Sequence, residues 1–560
     1  MILLITYFAV KRIQTSEIRS KLGNSISFLL PLLLLELLIF IWLSKGNLSL
    51  FKASLGFLII ALLTGIVYFR FRGTYFRNVL ALIYIVVLLG SPIGFFINAG
   101  IFGSKAEGFE ESSNNKINNI ILISIDTLRK DVLSSYGSNE VSTPNIDRIA
   151  EDGFLFTQAY SPAPWTLPAF SSIMTGVNPL VHKTTDSKSR LPETFTTIAE
   201  YLADSGYKTS AIGTNVFLHS EYNIDQGFME YNFFPKRKEL VDSFGGAFIN
   251  IAFPGHFKTD ASTSDLTDLS INWLNKNRDK DFFLWLHYYD PHIPYTPPVE
   301  YIAEDKNQST IGNEFQSAGV IRSGHYSPNL ADRIRIRQLY DAEVRYVDDS
   351  IGRLIETLEE LDLYKDSLII ITSDHGEEFW EHGGFEHGHT LYNELINVPL
   401  IIKLPDNEHG NIIDIPVTTQ SLMPTILELS DIEFDNGSYL ASSLVPLLEN
   451  KPSNYEVRPI ISSSLLYYED REAAIVDESK YIRTIITDQE EFYNLTKDPQ
   501  EQSPLSNSQV SDKIFQAKDI LKQHKDDSLE LSGYYGVEKS DKVELDEEKK
   551  EKLRALDYIQ

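Results

Sequence analysis

Three stretches of this chain combine residue types that could act on an ester. The first, Ser161-Pro-Ala-Pro-Trp-Thr-Leu-Pro-Ala-Phe-Ser-Ser-Ile-Met-Thr-Gly176, places Thr166 before a short apolar run that closes on a glycine. The pattern predicts a helix with Thr166 as its N-cap, Pro168 in its first turn and Gly176 at its end. A hydroxyl there faces free backbone N–H groups and the positive end of the helix dipole, which favour its alkoxide and any anion beside it. Taken alone, the same residue could simply cap a helix. The second stretch, Ile120-Ile-Leu-Ile-Ser-Ile-Asp126-Thr-Leu-Arg129, ends an apolar run on an acid, and the third, Thr372-Ser-Asp-His-Gly-Glu377, sets Asp374 and His375 after another. Two carboxylates, an imidazole and a hydroxyl could hold one divalent cation and leave room for a substrate oxygen. Asp126 alone could equally be a cap or a salt-bridged acid, whereas the Asp374–His375 pair needs a partner if it is buried.

Four histidines are candidates for substrate contact: His292 in Asp290-Pro-His-Ile-Pro294, and His382, His387 and His389 in Glu381-His-Gly-Gly-Phe-Glu-His-Gly-His389. Imidazole titrates near neutrality, which suits protonation of a leaving group, although each could be a hydrogen-bonded loop residue. Asp290, His292 and His389 could alternatively hold a second metal ion.

In their order along the chain, these stretches, with Thr143-Pro-Asn-Ile-Asp-Arg-Ile-Ala-Glu-Asp-Gly153 and Leu286-His-Tyr-Tyr-Asp-Pro-His-Ile-Pro-Tyr295, resemble the sulfatase family of the alkaline phosphatase superfamily. The resemblance spans roughly residues 117–507, with a further tail at 545–560. It implies that Asp126, Asp374 and His375 are metal ligands, with Thr166 at the nucleophile. It also implies that His292 is the leaving-group histidine and that a substrate-binding position falls on His389, ahead of His387. Three features depart from the family. Its usual nucleophile is a cysteine or serine oxidised to formylglycine, but the methyl on the Thr166 Cβ blocks that aldehyde, so no formylglycine is expected. The arginine normally four residues beyond the nucleophile is Phe170. The Gly-Lys-x-His element is Gly213-Thr-Asn-Val216, which loses both cations and leaves Asn215 as a hydrogen-bond donor to substrate. Thr127, in addition, replaces a second acid that often follows Asp126.

With a threonine nucleophile and this metal set, the chain looks more like lipoteichoic-acid synthases and phosphoethanolamine transferases. The expectation is a metal-dependent hydrolase or transferase acting on phosphodiester or phospholipid-headgroup esters. The alternatives are a sulfuric ester hydrolase and a catalytically inactive membrane-anchored binding protein. The substrate would be a phosphate or sulfate ester, lipid-linked or on a glycan. One divalent ion is expected, manganese or zinc before calcium or magnesium, because an imidazole replaces an oxygen ligand.

The elements that must carry these residues alternate. Apolar, β-branched runs at 119–125, 207–213, 282–288, 367–373 and 398–402 are separated by helical patterns at 144–152, 193–205, 264–277, 331–360 and 416–430. That alternation predicts an α/β fold with a parallel sheet covered on both faces, of the alkaline-phosphatase and sulfatase kind, whose ligands bind beyond the carboxyl ends of the strands. Shorter runs at 458–463, 473–477, 480–487 and 491–495 predict a small antiparallel subdomain. The expected division is a membrane anchor at 1–102, a Gly-, Ser-, Asn- and Glu-rich linker at 103–117, a catalytic domain at 118–455, the subdomain at 456–507, and a loosely packed charged tail at 508–560 that ends in a helix over 545–558.

Composition narrows the partners. The 560 residues carry a formal charge of −28, which argues against nucleic acid, and contain no cysteine, so disulfides, thiolate nucleophiles and thiolate metal ligands are excluded. Apolar runs at about 27–44, 53–69 and 79–99 approach the ~20 residues that span a bilayer. Lys11, Arg12, Arg19 and Lys21 precede the first run, and Arg70, Arg72 and Arg77 lie between the second and third. By the positive-inside rule both basic segments face the cytoplasm, so three transmembrane helices would leave the catalytic domain extracytoplasmic on a cell membrane.

Overall fold

A computed structural model describes residues 117–233, 262–312, 318–407, 409–434 and 441–543, within a unit spanning Ser113–Gln560. The three apolar runs, the linker before residue 117 and the helix expected at 545–558 lie outside the described residues. Among the described residues no helix is long and apolar enough to cross a membrane.

The site is carried by one sheet. Its strands are β1 Asn119–Ile125, β2 Phe154–Tyr160, β3 Lys208–Gly213, β4 Glu230–Phe233, β5 Phe282–Tyr288 and β6 Ser367–Thr372. A two-stranded hairpin, β7 Glu378–Phe379 and β8 Phe385–Glu386, stands apart, and β9 Asn397–Lys403, β10 Asn411–Ile413 and β11 Val417–Thr418 complete the sheet. The order is β10-β2-β9-β6-β1-β5-β3-β4, with β11 beside β2. All seven residues of β1 are buried, as an interior strand covered on both faces requires. The main helices packed on the sheet are α1 Pro144–Glu151, α2 Thr166–Thr175, α3 Ile198–Asp204, α4 Thr263–Asn277, α5 Leu330–Glu360 and α6 Leu422–Leu429. Side chains alternate across β1 and feed two cores. Ile120 and Leu122 join Phe170 and Ile173 of α2, Leu202 of α3 and Ile426 of α6, while Ile121, Ile123 and Ile125 join Ile149 of α1, Leu274 of α4 and Leu339 of α5. Each such buried side chain contributes about 1.5–3 kcal/mol.

The expected strands are present, but the sheet is mixed. β1, β3, β4, β5 and β6 run parallel, whereas β9, expected to be parallel, runs antiparallel to both β6 and β2. β2 was not expected at all. The helix expected over 193–205 starts only at Ile198, where Thr197 and Glu200 close a reciprocal capping box.

The C-terminal subdomain is the expected antiparallel sheet, β12 Ile460–Ser462, β13 Arg471–Val476, β14 Ser479–Thr484 and β15 Glu490–Asn494, paired in sequence order. The tail expected to be loose instead begins with the 28-residue helix α7 Asn507–Tyr534. Its Val510, Ile514, Ala517 and Leu521 are buried against Ile461, Ala474, Tyr481 and Phe492 of that sheet. The helix kinks at Val510, whose φ of −133° is not helical, and beyond the kink the spacing of Ile514, Ala517 and Leu521 along one face supplies the apolar stripe that docks an otherwise charged segment.

Candidate active site

The carboxyl ends of the parallel strands converge. Asp126 follows β1, His287 lies near the end of β5, Asn215 stands two residues past β3, and Asp374 and His375 stand two and three past β6. Thr166 enters from the start of α2. It is the first helical residue and not the cap, because the extended Trp165 holds the N-cap position without a side-chain cap bond. The Thr166 hydroxyl is therefore turned to the strand ends rather than to its own helix. Gly176 closes α2 in the left-handed conformation, as expected.

Asp126, Asp374 and His375, all fully buried, bring one ligand atom each within 4.8 Å of one another. His375 Nε2 lies 3.4 Å from Thr166 Oγ1, 3.4 Å from Asp374 Oδ2 and 3.8 Å from Asp126 Oδ1. Both of those carboxylate oxygens are buried without a hydrogen-bond partner among the described residues. His375 Nδ1 lies 2.9 Å from the Gly376 carbonyl, which can only accept, so Nδ1 carries the proton and Nε2 presents its lone pair. Two acidic oxygens without partners, an imidazole lone pair and a hydroxyl converging on one spot fit a divalent cation.

Electrostatics agree. Burial pushes the Asp126 carboxyl up, but the facing His292, His287 and His375 outweigh it and hold the group at about 2. Burial and the neighbouring Asp126 charge raise Asp374, which His375, His287 and then Thr166 only partly offset. Asn215 Nδ2 donates to Asp126 Oδ2 at 2.6 Å and to Thr166 Oγ1 at 3.4 Å, its amide fixed by the Phe217 N–H donating to Oδ1 at 2.7 Å. Thr127 carries a φ of 54° and a buried hydroxyl without a hydrogen-bond partner, a conformation that is strained in a β-branched residue.

The candidate histidines separate. His387 packs its ring 4.4 Å from His375 and 4.9 Å from His292, so these rings adjoin the Thr166 cluster. Burial, then the neighbouring His375, His292 and Arg322, press His387 well below the usual imidazole range. Its Nδ1 meets Glu377 Oε1 at 3.0 Å, and Tyr295 donates to the other oxygen of that carboxyl at 2.9 Å. His292 Nδ1 donates to the Ile293 carbonyl at 2.5 Å. His389, ranked ahead of His387 from the resemblance, pairs instead with Glu378 at 2.8 Å and edges onto Tyr468. His382 faces away, bonded to Glu394 at 2.6 Å and stacked on Tyr392. Asp290 accepts from Thr263 at 2.6 Å, and the alternative second metal set of Asp290, His292 and His389 does not gather among the described residues. Phe170, at the family's arginine position, packs on Trp285 and edge-on against His287.

His287 was not singled out from sequence, although it lies in a stretch that carries the resemblance. Its Nε2 stands 3.3 Å from Asp126 Oδ2, and nothing in the apolar run around it marks its role. Glu377 and Tyr295, which hold His387, were likewise passed over.

The Sulfatase family model matches residues 118–432, more than half of the chain. The chain belongs to the sulfatase family. A sulfatase of Formosa agariphila is 29% identical over 445 residues, covering 72% of this chain and 86% of its own length. An arylsulfatase of Clostridium perfringens is 26% identical over 439 residues, covering 70% and 90% respectively. The crystal structure of a phosphonate monoester hydrolase of Agrobacterium radiobacter superposes with a TM-score of 0.59 at 21% identity, over 73% of this chain and 96% of that one. The fold is thus the mixed α/β fold of these enzymes, and the chain is a sulfatase-family hydrolytic enzyme with a buried Asp/Asp/His group suited to the divalent metal such enzymes use.

Proposed function

We propose that this enzyme cleaves or transfers phosphodiesters, of the phospholipid-headgroup kind, through Thr166. The observation that carries the proposal is the Thr166 hydroxyl itself, 3.4 Å from His375 Nε2 and 3.4 Å from Asn215 Nδ2, on a side chain whose Cβ methyl precludes an aldehyde. A formylglycine hydrate can expel sulfate by collapsing to the aldehyde. Threonine has no such exit, whereas a phospho-threonine is released by attack of water or an alcohol at phosphorus. Thr214 and Val216 also remove the two cations that the family directs at sulfate oxygens, which suits an ester with two terminal oxygens better than one with three.

Asp126, Thr166, Asp374 and His375 would hold the metal ion, which when bound supplies positive charge that acidifies a hydroxyl and offsets charge on an ester oxygen. Asn215 donates to Thr166 Oγ and steadies the oxygen as it loses its proton. Thr166 Oγ gives its proton to solvent and bonds to phosphorus, the bond from phosphorus to the ester oxygen breaks, and His292 gives the departing oxygen a proton. His387, locked by Glu377, and His389 line the approach as substrate contacts. Water or an acceptor alcohol, giving its proton to His292, then attacks phosphorus, the bond from phosphorus to Thr166 Oγ breaks, and Oγ regains a proton from solvent.

A phosphonate monoester hydrolase among the structural neighbours supports a phosphorus ester, while the sulfatase names of the sequence relatives favour the second reading, sulfuric ester hydrolysis. Turnover of bis(p-nitrophenyl) phosphate and of p-nitrophenyl sulfate, with Thr166→Ala as control, separates the two. Faster Thr166-dependent turnover of the sulfate overturns the phosphodiester reading. The three apolar runs before residue 100 and the basic residues flanking them support a membrane anchor with this site outside the cell. A reporter fused after residue 105 that folds only outside the cytoplasm should be active, and cytoplasmic activity would overturn the topology.

A further inference from the structure

Asp126 presents two oxygens in different surroundings. Oδ1 has no hydrogen-bond partner and faces His375, while Oδ2 receives Asn215 Nδ2 at 2.6 Å and lies 3.3 Å from His287 Nε2. On the far side of the imidazole, His287 Nδ1 lies 3.0 Å from Ser124 Oγ, which receives the Trp285 indole N–H at 2.8 Å. The direction of this chain follows from what each group can do. An indole only donates and an ionised carboxylate only accepts. His287 therefore carries a proton on Nε2 toward Asp126, while Ser124 Oγ, beside Nδ1, donates its own proton to the Leu286 carbonyl at 3.2 Å and holds the ring from behind.

We infer that His287 is a positioning residue of this active site, which with Asn215 commits Asp126 Oδ2 to the protein and turns Oδ1 to the metal. The fold is built around its ring. Phe170 meets the ring edge-on at 5.0 Å, and a Cβ on Gly213 would come within 2.9 Å of the His287 Cβ. The family's arginine position is thus occupied by an aromatic ring that keeps His287 in place.

This inference rests on the metal site proposed above, and its test reads metal uptake rather than turnover. Calorimetric titration of the detergent-solubilised full chain with Mn²⁺ should show His287→Phe weakening affinity about 10- to 100-fold, the range for losing a hydrogen bond to a ligand. His287→Gln, which keeps an N–H in reach of Asp126, should recover most of that loss. A purely structural role would lower the metal-free unfolding midpoint of both variants and leave Mn²⁺ affinity unchanged. Wild-type uptake with equal uptake by His287→Phe overturns the positioning role alone, and a wild-type chain that takes up no Mn²⁺ overturns the metal site along with it. Where His287→Phe does not fold, Ser124→Ala breaks the chain one step back and should weaken Mn²⁺ uptake in the same direction; unchanged uptake there overturns the role.

Discussion

Asp374→Asn should make the metal-free enzyme more stable and the metal-loaded enzyme less so. Asp126 and Asp374 are fully buried a few ångströms apart, and the charge of one raises the proton affinity of the other. Replacing Asp374 by its neutral isostere removes one of two like charges, so the metal-free unfolding midpoint rises. The same change removes an anionic ligand. At one hundred times its Kd an ion stabilises the folded chain by about 2.7 kcal/mol. Unfolding entropy near 2.1 cal/mol/K per residue, over the roughly 450 residues of Ser113–Gln560, gives about 0.9 kcal/mol/K, so the wild-type midpoint should rise about 3 °C. A hundredfold loss of affinity at the same ion concentration leaves about 0.4 kcal/mol, or about 0.5 °C. Scanning calorimetry of both proteins, first with a chelator and then with Mn²⁺, reads all four midpoints. A lower metal-free midpoint for Asp374→Asn, together with a retained Mn²⁺ shift, would refute both the repulsion and the ligand assignment.

Three other outcomes follow from the same structure. Burial lowers the His382 imidazole, but the bonded Glu394 outweighs it and raises the group from 6.5 to about 9. Its contribution to stability should be complete below pH 6.5 and be lost as pH climbs to about 9, so His382→Gln should flatten the urea midpoint across that window; parallel curves for the two proteins would contradict it. Phe170→Arg should cost several kcal/mol by burying a charge beside Trp285 and His287, without creating p-nitrophenyl sulfate turnover, and a stable variant that gains such turnover would show that the family's arginine site survives. Leu521→Ala should cost about 2–5 kcal/mol in denaturant unfolding if α7 is docked, and a change under about 0.5 kcal/mol would mean that the helix does not pack on the subdomain.

What the sequence disclosed depended on how each element announces itself. β1, β5 and β6 are buried on both faces and stand out as unbroken apolar runs bounded by acids. β9 reads as the same kind of run, but apolar content carries no direction, so its antiparallel placement was invisible. In β2, Thr157 and Gln158 interrupt the apolar pattern where the pairing with β9 shifts register, which hid the strand. α7 buries only a narrow stripe in a charged segment, and its composition read as a solvated tail. At the site, Asp126, Thr166, Asp374 and His375 were legible because charged or polar groups at the ends of apolar runs demand a partner. His287 was not, because a histidine inside an apolar strand is indistinguishable by spacing from one satisfied in a core.

The central claim is that Thr166 itself takes the group being transferred. Peptide mapping by mass spectrometry, after the Mn²⁺-loaded enzyme is quenched during turnover of bis(p-nitrophenyl) phosphate, tests it directly. The account predicts a nitrophenylphosphoryl adduct on the peptide bearing Thr166, absent from Thr166→Ala together with turnover. Continued turnover by Thr166→Ala, or an adduct on another residue, would contradict it.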